Sequence, residues 1–239
     1  MMLKRLCSYF TLTERLLWLC SCIAIITVFI IFDRESFLTL TASLIGVTSL
    51  IFSAKGNPAG LVLMVIFSII YGIISFSFAY YGEMITYLCM TMPMSAYALI
   101  CWLKNPYGDN RAEVRISSLG KTDFVILPIT TLIVTVAFYF ILAALDTTNV
   151  IPSTISVTTS FVAIYLTARR SPFFALAYAS NDIVLIILWI LAAMENSSYV
   201  SVVICFAVFL INDLYGFINW NRMKKRQRGD VTCTKKVGK

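Results

Sequence analysis

Two pairs of residues carry most of the chemistry open to this chain. Asn181-Asp182 and Asn212-Asp213 are the places where a carboxyl group falls inside a long apolar run, and no lysine or arginine does so. An ionisable side chain in a bilayer is costly unless it is paired, neutralised or facing water, so a functional role is the first expectation. Such groups can hold a cationic or polar ligand. They can also tie two helices together by hydrogen bonds, or pass protons, although no other buried acid, histidine or lysine continues a relay. Helical spacing widens each pair into a stripe. Tyr178, Asp182, Leu185 and Trp189 share one face, Asn212, Tyr215, Gly216 and Asn219 form a second, and Ser68, Tyr71, Gly72 and Ser75 a third. Amides, aromatic rings and small residues together suit a polar ligand with a flat ring. A packing seam of small residues is the competing reading, above all for the third stripe.

The elements that must position these residues are membrane spans. The chain has 239 residues, of which 59% are hydrophobic and 13% charged, whereas soluble domains carry roughly 25% charged residues. Eight apolar runs are each long enough to cross a bilayer: 16–32, 37–53, 59–80, 84–102, 124–145, 151–168, 173–193 and 200–220. They are continuously apolar rather than alternating, which predicts helices and not barrel strands. The first run follows Lys4, Arg5 and Arg15 as a signal peptide would. Asp33-Arg34-Glu35 and the lack of a small-residue cleavage pattern favour an uncleaved span, with a helix lying in the interface as the alternative.

With both termini cytoplasmic, the inner side receives Lys4, Arg5, Arg15, Lys55, Lys104, Arg111, Arg115, Lys121, Arg169, Arg170 and a basic tail from Arg222. Only Arg34 falls outside, beside Asp33, Glu35, Glu83, Asp146 and Glu195, so eight spans satisfy the positive-inside rule at every turn. The net charge of +7 is therefore spent on cytoplasmic loops and does not imply a nucleic-acid partner. The tail is expected to hug the anionic inner leaflet and then become disordered. Trp102 and Trp220, at cytoplasmic ends of spans, read as interface anchors.

Several chemistries are excluded. Histidine is absent, and the seven cysteines match no zinc or thioredoxin-type spacing, which removes the usual metal ligands and general base. No Walker A motif or dinucleotide fingerprint is found, so neither a cofactor nor ATP-driven pumping is expected. Asp182 and Asp213 could form a catalytic dyad, but the paired signature of intramembrane aspartyl proteases is absent, and the chain reads as no enzyme.

Spans four and eight end alike, in Tyr97-Ala-Leu-Ile-Cys-Trp102 and Tyr215-Gly-Phe-Ile-Asn-Trp220, while Asn57-Pro58 and Ser171-Pro172 open spans on the inner side. Two parallel three-helix bundles, each ending on the side opposite its start, need one linker helix between them, and span five supplies it. The expected divisions are an N-terminal helix at 1–36, a first bundle at 37–103, a cytoplasmic loop and linker helix at 104–148, a second bundle at 149–221 and a basic tail at 222–239.

Asn212-Asp-Leu-Tyr-Gly-Phe-Ile-Asn-Trp220, Tyr71-Gly72, Tyr81-Gly82-Glu83 and the three-one-three layout resemble the PnuC family of bacterial vitamin transporters, over roughly spans two to eight. The resemblance implies an all-α integral membrane fold akin to the SWEET sugar transporters, with an additional N-terminal helix, and a homotrimer in the bacterial inner membrane. It implies uptake of nicotinamide riboside, with thiamine or riboflavin as substrates of sister groups, by facilitated diffusion made one-way by a cytoplasmic ribosylnicotinamide kinase. Substrate contacts are expected from Asn181, Asp182, Trp189, Asn212, Asp213, Tyr215, Tyr71, Ser68, Ser75 and Tyr178. Trp189 and Tyr71 would flank the pyridinium ring, and Asn181 and Asn212 would read its carboxamide and ribose hydroxyls.

Overall fold

The computed structural model describes residues 9–34, 36–77, 81–108, 110–147 and 149–237. Lys4, Arg5, Glu35 and the end of the third expected span, 78–80, lie outside the described residues. Among the described residues, eight helices are long and apolar enough to cross a membrane. They are α1 (Leu12–Phe32), α2 (Phe37–Ala54), α3 (Ala59–Ser77), α4 (Tyr81–Leu103), α5 (Asp123–Ala144), α6 (Val150–Ala168), α7 (Phe173–Ala193) and α8 (Val200–Val237).

Local chemistry sets their ends. Thr11 caps α1 through a reciprocal pair of bonds, Glu14 N to Thr11 Oγ1 (3.3 Å) and Thr11 N to Glu14 Oε2 (2.7 Å), which satisfies two otherwise orphaned donors. The helix therefore starts earlier than hydropathy suggests and carries the buried Glu14 inside it. In α4 the stretch Thr86–Thr91 is π-helical, and Pro93 stands one residue beyond it, after Met92. Proline has no N–H for the α-helical ladder, and a widened turn absorbs the misfit.

Sequential helices pack as neighbours, and three further contacts close the bundle: α8 against α1, α8 against α2, and α4 against α6. The α2–α3 and α6–α7 turns are built alike. Gly56 and Arg170 both adopt positive φ, at 66° and 57°, and the next amide reaches back in each, Asn57 N to Phe52 O and Ser171 N to Leu166 O, both at 3.0 Å. Beside these turns Trp102 and Trp220 are wholly buried. Trp102 Nε1 donates to Thr167 O and Trp220 Nε1 to Ser53 O, each at 2.8 Å, and the two indoles lie 5.3 Å apart. They are internal hydrogen-bonded struts, which corrects the reading of both as interface anchors.

At the same end, the α4–α5 connection forms a two-stranded antiparallel hairpin, β1 (Pro106–Tyr107) and β2 (Asn110–Val114). Sequence alone placed only a loop there. Val114 is buried and bonds Gly56 O through its amide (2.9 Å). The stretch after Trp220 is a continuation of α8, in place of the disordered tail expected. Its Gln227 side chain donates to Val114 O (3.1 Å) and Glu113 Oε1 (2.8 Å) and accepts from Ile116 N (2.8 Å), while Arg226 pairs with Glu113. Three backbone and side-chain partners for one glutamine hold the helix in place where its basic residues alone would favour solvent. By contrast, α5 stands at the perimeter, with Phe124, Leu132, Ile133 and Phe140 exposed.

Candidate functional site

Asp182 on α7 and Asp213 on α8 meet in the middle of the bundle. Both are buried, their carboxyl groups are in hydrogen-bonding contact, and both line a cavity of about 40 Å³. Two carboxyl groups this close concentrate acidic character at one point of the bundle. Asp182 Oδ2 has no hydrogen-bond partner among the described residues, and neither has the Tyr178 hydroxyl one helical turn away.

The walls are aromatic. Phe67 and Tyr87 come from α3 and α4, and Phe206 and Phe209 from α8. Their rings meet mostly edge to face, with centroids 5.9 Å apart for Phe67–Tyr87 and Phe67–Phe209 and 5.7 Å for Phe206–Phe209. Gly46 of α2 makes this possible, because a Cβ there would strike the Phe209 ring. The polar wall comes from α6: Asn181 Oδ1 accepts from Thr159 Oγ1 (2.8 Å), Ser160 Oγ (3.1 Å) and Ser156 Oγ (3.4 Å). Three hydroxyls on the carbonyl fix the orientation of the amide.

Tyr178, Asn181, Asp182 and Asp213, four of the residues expected to bind substrate, thus surround one cavity. Tyr71 and Trp189 stand in the next layer. Tyr71 packs on Tyr87 (4.4 Å) and Phe206 (6.1 Å), and Trp189 packs on Tyr199 (5.4 Å). The remaining four face elsewhere. Ser68 donates back to Met64 O (2.8 Å), and Ser75 is buried away from the cavity. Asn212 turns toward α1, its Nδ2 donating to Ser21 Oγ (3.0 Å) and Val208 O (2.8 Å). Tyr215 donates to Glu14 Oε1 (3.1 Å), and Glu14 is paired with Lys55 (3.0 Å) near the hairpin end. Sequence reasoning missed Phe67, Tyr87, Thr91, Ser160, Phe206 and Phe209. Ser156, Thr159 and Ser160 carried a usable signal, since their spacing puts three hydroxyls on one helical face. The phenylalanines carried none, because apolar rings are expected everywhere in a span.

No lysine or arginine is among the cavity-lining residues, and the described residues hold no cluster of three acidic or cysteine side chains fit for a metal. An aromatic box that holds a pair of carboxyl side chains is suited to a flat organic monocation. A buried cavity with polar groups, lined by six of the eight apolar helices, defines a multi-pass membrane protein of the small-molecule carrier class. The chain belongs to the family described as Nicotinamide mononucleotide transporter, which matches residues 36–222. It is 25% identical over 217 residues to the nicotinamide riboside transporter PnuC of Neisseria mucosa, across 89% of this chain and 82% of that protein. The crystal structure of the vitamin B3 transporter PnuC shares the fold, with a TM-score of 0.79 at 24% identity over 91% of this chain and 94% of the other. Helix α1 precedes the stretch that the family matches.

Proposed function

We propose that this protein carries nicotinamide riboside across the bacterial inner membrane by facilitated diffusion. The observation that carries the reading is the contact between Asp182 and Asp213 inside an aromatic-walled cavity that no lysine or arginine lines. The nucleoside has a fixed positive charge on a flat ring, together with a carboxamide and hydroxyls. Carboxylate charge at Asp182 and Asp213 offsets the ring charge, the aromatic faces contribute cation–π attraction of about 0.5 to 2 kcal/mol, and Asn181 and Tyr178 meet the polar groups. Tyr71 and Trp189 back the aromatic wall.

Family and relative differ in the ligand named, a mononucleotide for one and a riboside for the other. Charge favours the riboside, because a phosphate would bring negative charge to a site that is already negative. The same rejection keeps the phosphorylated product inside once a cytoplasmic ribosylnicotinamide kinase has acted.

In this reading α2–α4 and α6–α8 are two copies of one three-helix unit related as in the SWEET transporters, α5 is the linker and α1 an addition. The matching Trp102 and Trp220 bonds and the matching turns at Gly56 and Arg170 support it. The hairpin end, with Lys55, Lys104, Arg115, Lys121, Arg169 and Arg170, is cytoplasmic and so are both termini, in keeping with the positive-inside rule. The protein assembles as a homotrimer, for which the exposed apolar face of α5 is available.

Calorimetric titration of the purified protein with nicotinamide riboside, thiamine, riboflavin and nicotinamide mononucleotide tests the assignment. Selective binding of the riboside is expected. Equal affinity for the mononucleotide would overturn it, and selective binding of thiamine, also a cationic aromatic, would keep the mechanism and change the substrate.

A further inference from the structure

A second cavity lies at the far end of the bundle from the hairpin, between the start of α4, the α5–α6 turn and the end of α7. Its volume of about 20 Å³ has room for one water-sized guest. Glu83 forms part of its wall. This side chain is 4% exposed, and its Oε2 has no hydrogen-bond partner among the described residues. Thr147 Oγ1, in the same wall, is also buried and unpartnered, while Asn149 and Glu195 are exposed at the rim. An acid left this way inside a membrane bundle costs several kcal/mol unless something meets it at some point in the working cycle.

The opposite seam sets its acid beside a hydroxyl, although Asp33 there also lines a larger opening of about 350 Å³. The chain step that relates Ser53 to Thr167 also relates Asp33 to Thr147, and the step from Trp102 to Trp220 relates Glu83 to Ser201. Acid and hydroxyl have therefore exchanged places between the seams. In one, Ser201 Oγ stands 3.5 Å from Asp33 Oδ2 while donating to Ser198 O at 2.8 Å. In the other, Glu83 Oε2 and Thr147 Oγ1 bond neither each other nor anything else described. Glu83 is also within electrostatic reach of Tyr71 and Tyr87, and Tyr87 lines the central cavity. Tyr87 is thus near both Glu83 and Asp182.

We propose that Glu83, with Thr147 and the rim residues Asn149 and Glu195, is an outer way-site for organic monocations, which receives the substrate before the central cavity does and selects for positive charge on arrival. The site rests on the transport reading and the orientation given above. Its present size excludes a nucleoside, so it is used when the α4–α6 seam parts. A single buried carboxyl with hydroxyl and amide neighbours matches a diffuse monocation better than a divalent ion, which requires more anionic oxygens.

The test compares uptake of nicotinamide riboside with that of its uncharged dihydro form by proteoliposomes holding wild-type protein, Glu83→Gln or Glu195→Gln. Glu83→Gln is expected to raise KM about tenfold for the cation, the scale of one partly screened charge contact, and to leave KM for the uncharged form within about twofold. Glu195→Gln, at the exposed rim, is expected to raise KM for the cation alone by about twofold, since solvent screens it. Equal changes for both forms, or no change, would overturn the way-site. Should Glu83→Gln not assemble, an unchanged KM in Glu195→Gln overturns it instead. Sodium-dependent uptake in the wild type that Glu83→Gln abolishes would also overturn it, in favour of an inorganic ion. Wild-type protein that takes up neither form would remove the transport reading itself, an outcome distinct from a failure of Glu83 alone.

Discussion

The units α2–α4 and α6–α8 agree at their ends and differ in their middles. At the hairpin end each unit closes with a buried tryptophan donating at 2.8 Å to a carbonyl of the other unit's first helix. In the middle, the steps that relate those ends bring Asp182 opposite Ser68 and Asp213 opposite Ser95. Ser68 bonds its own helix, and the buried Ser95 hydroxyl has no partner among the described residues. A buried indole N–H must be satisfied wherever it occurs, so the struts match. In the proposed function the middles answer to a ligand, and a ligand with charge on one ring and hydroxyls on another part is better met by two unlike walls than by two identical ones.

Neutralising the charged wall should produce the largest effect. Asp182→Asn with Asp213→Asn is expected to weaken riboside binding about a hundredfold in a calorimetric titration, a charge contact of a few kcal/mol in a partly polar interior. The matching Ser68→Ala with Ser95→Ala should change affinity by less than about threefold. Equal losses from both would erase the distinction between the walls. Next in size, Trp102→Phe and Trp220→Phe each remove a donor from a buried carbonyl and should cost about 1–3 kcal/mol, seen as similar falls in thermal midpoint. A clear inequality would break the equivalence of the ends. Smaller again, Gly56→Ala should lower stability by about 1 kcal/mol, whereas Arg170→Gly should hold or raise it by up to about 1 kcal/mol, because both positions have positive φ and only one already has glycine. Chemical denaturation in mixed micelles would read both. Least of all, Asn212→Ala should alter affinity by under about threefold while loosening α1 through the lost Ser21 bond.

Hydropathy made the eight helices legible, because span length and continuous apolar content are sums over many residues. It also picked out Asp182 and Asp213, since a lone acid in such a run stands out by its cost. Direction was harder to read. Asn212 and Asp213 are adjacent and therefore about 100° apart on α8, and the sequence cannot say which of them looks into the cavity; α1 claims Asn212 through Ser21. Glu14 was hidden by the start of α1, where a capping box rather than hydropathy decides the first residue. The helical tail depends on Gln227 finding the β2 backbone, a contact between positions more than a hundred residues apart that no local pattern carries. Arg170 concealed the repeat of the Gly56 turn, since the shared backbone shape is carried by different residue types.

One rod joins the central cavity to the hairpin. Helix α8 carries Asp213 at the cavity and, fourteen positions further on, Gln227 in its clasp with the hairpin, a distance of roughly 21 Å at 1.5 Å per residue. An unbroken helix of that length behaves as a lever. If the hairpin end parts, the arm beyond Trp220 swings, and a pivot there, midway between the two points, transmits an opposite displacement of similar size to Asp213. Release of the cargo's counter-charge and opening of the exit would then be one mechanical event, with no signal required to pass between them.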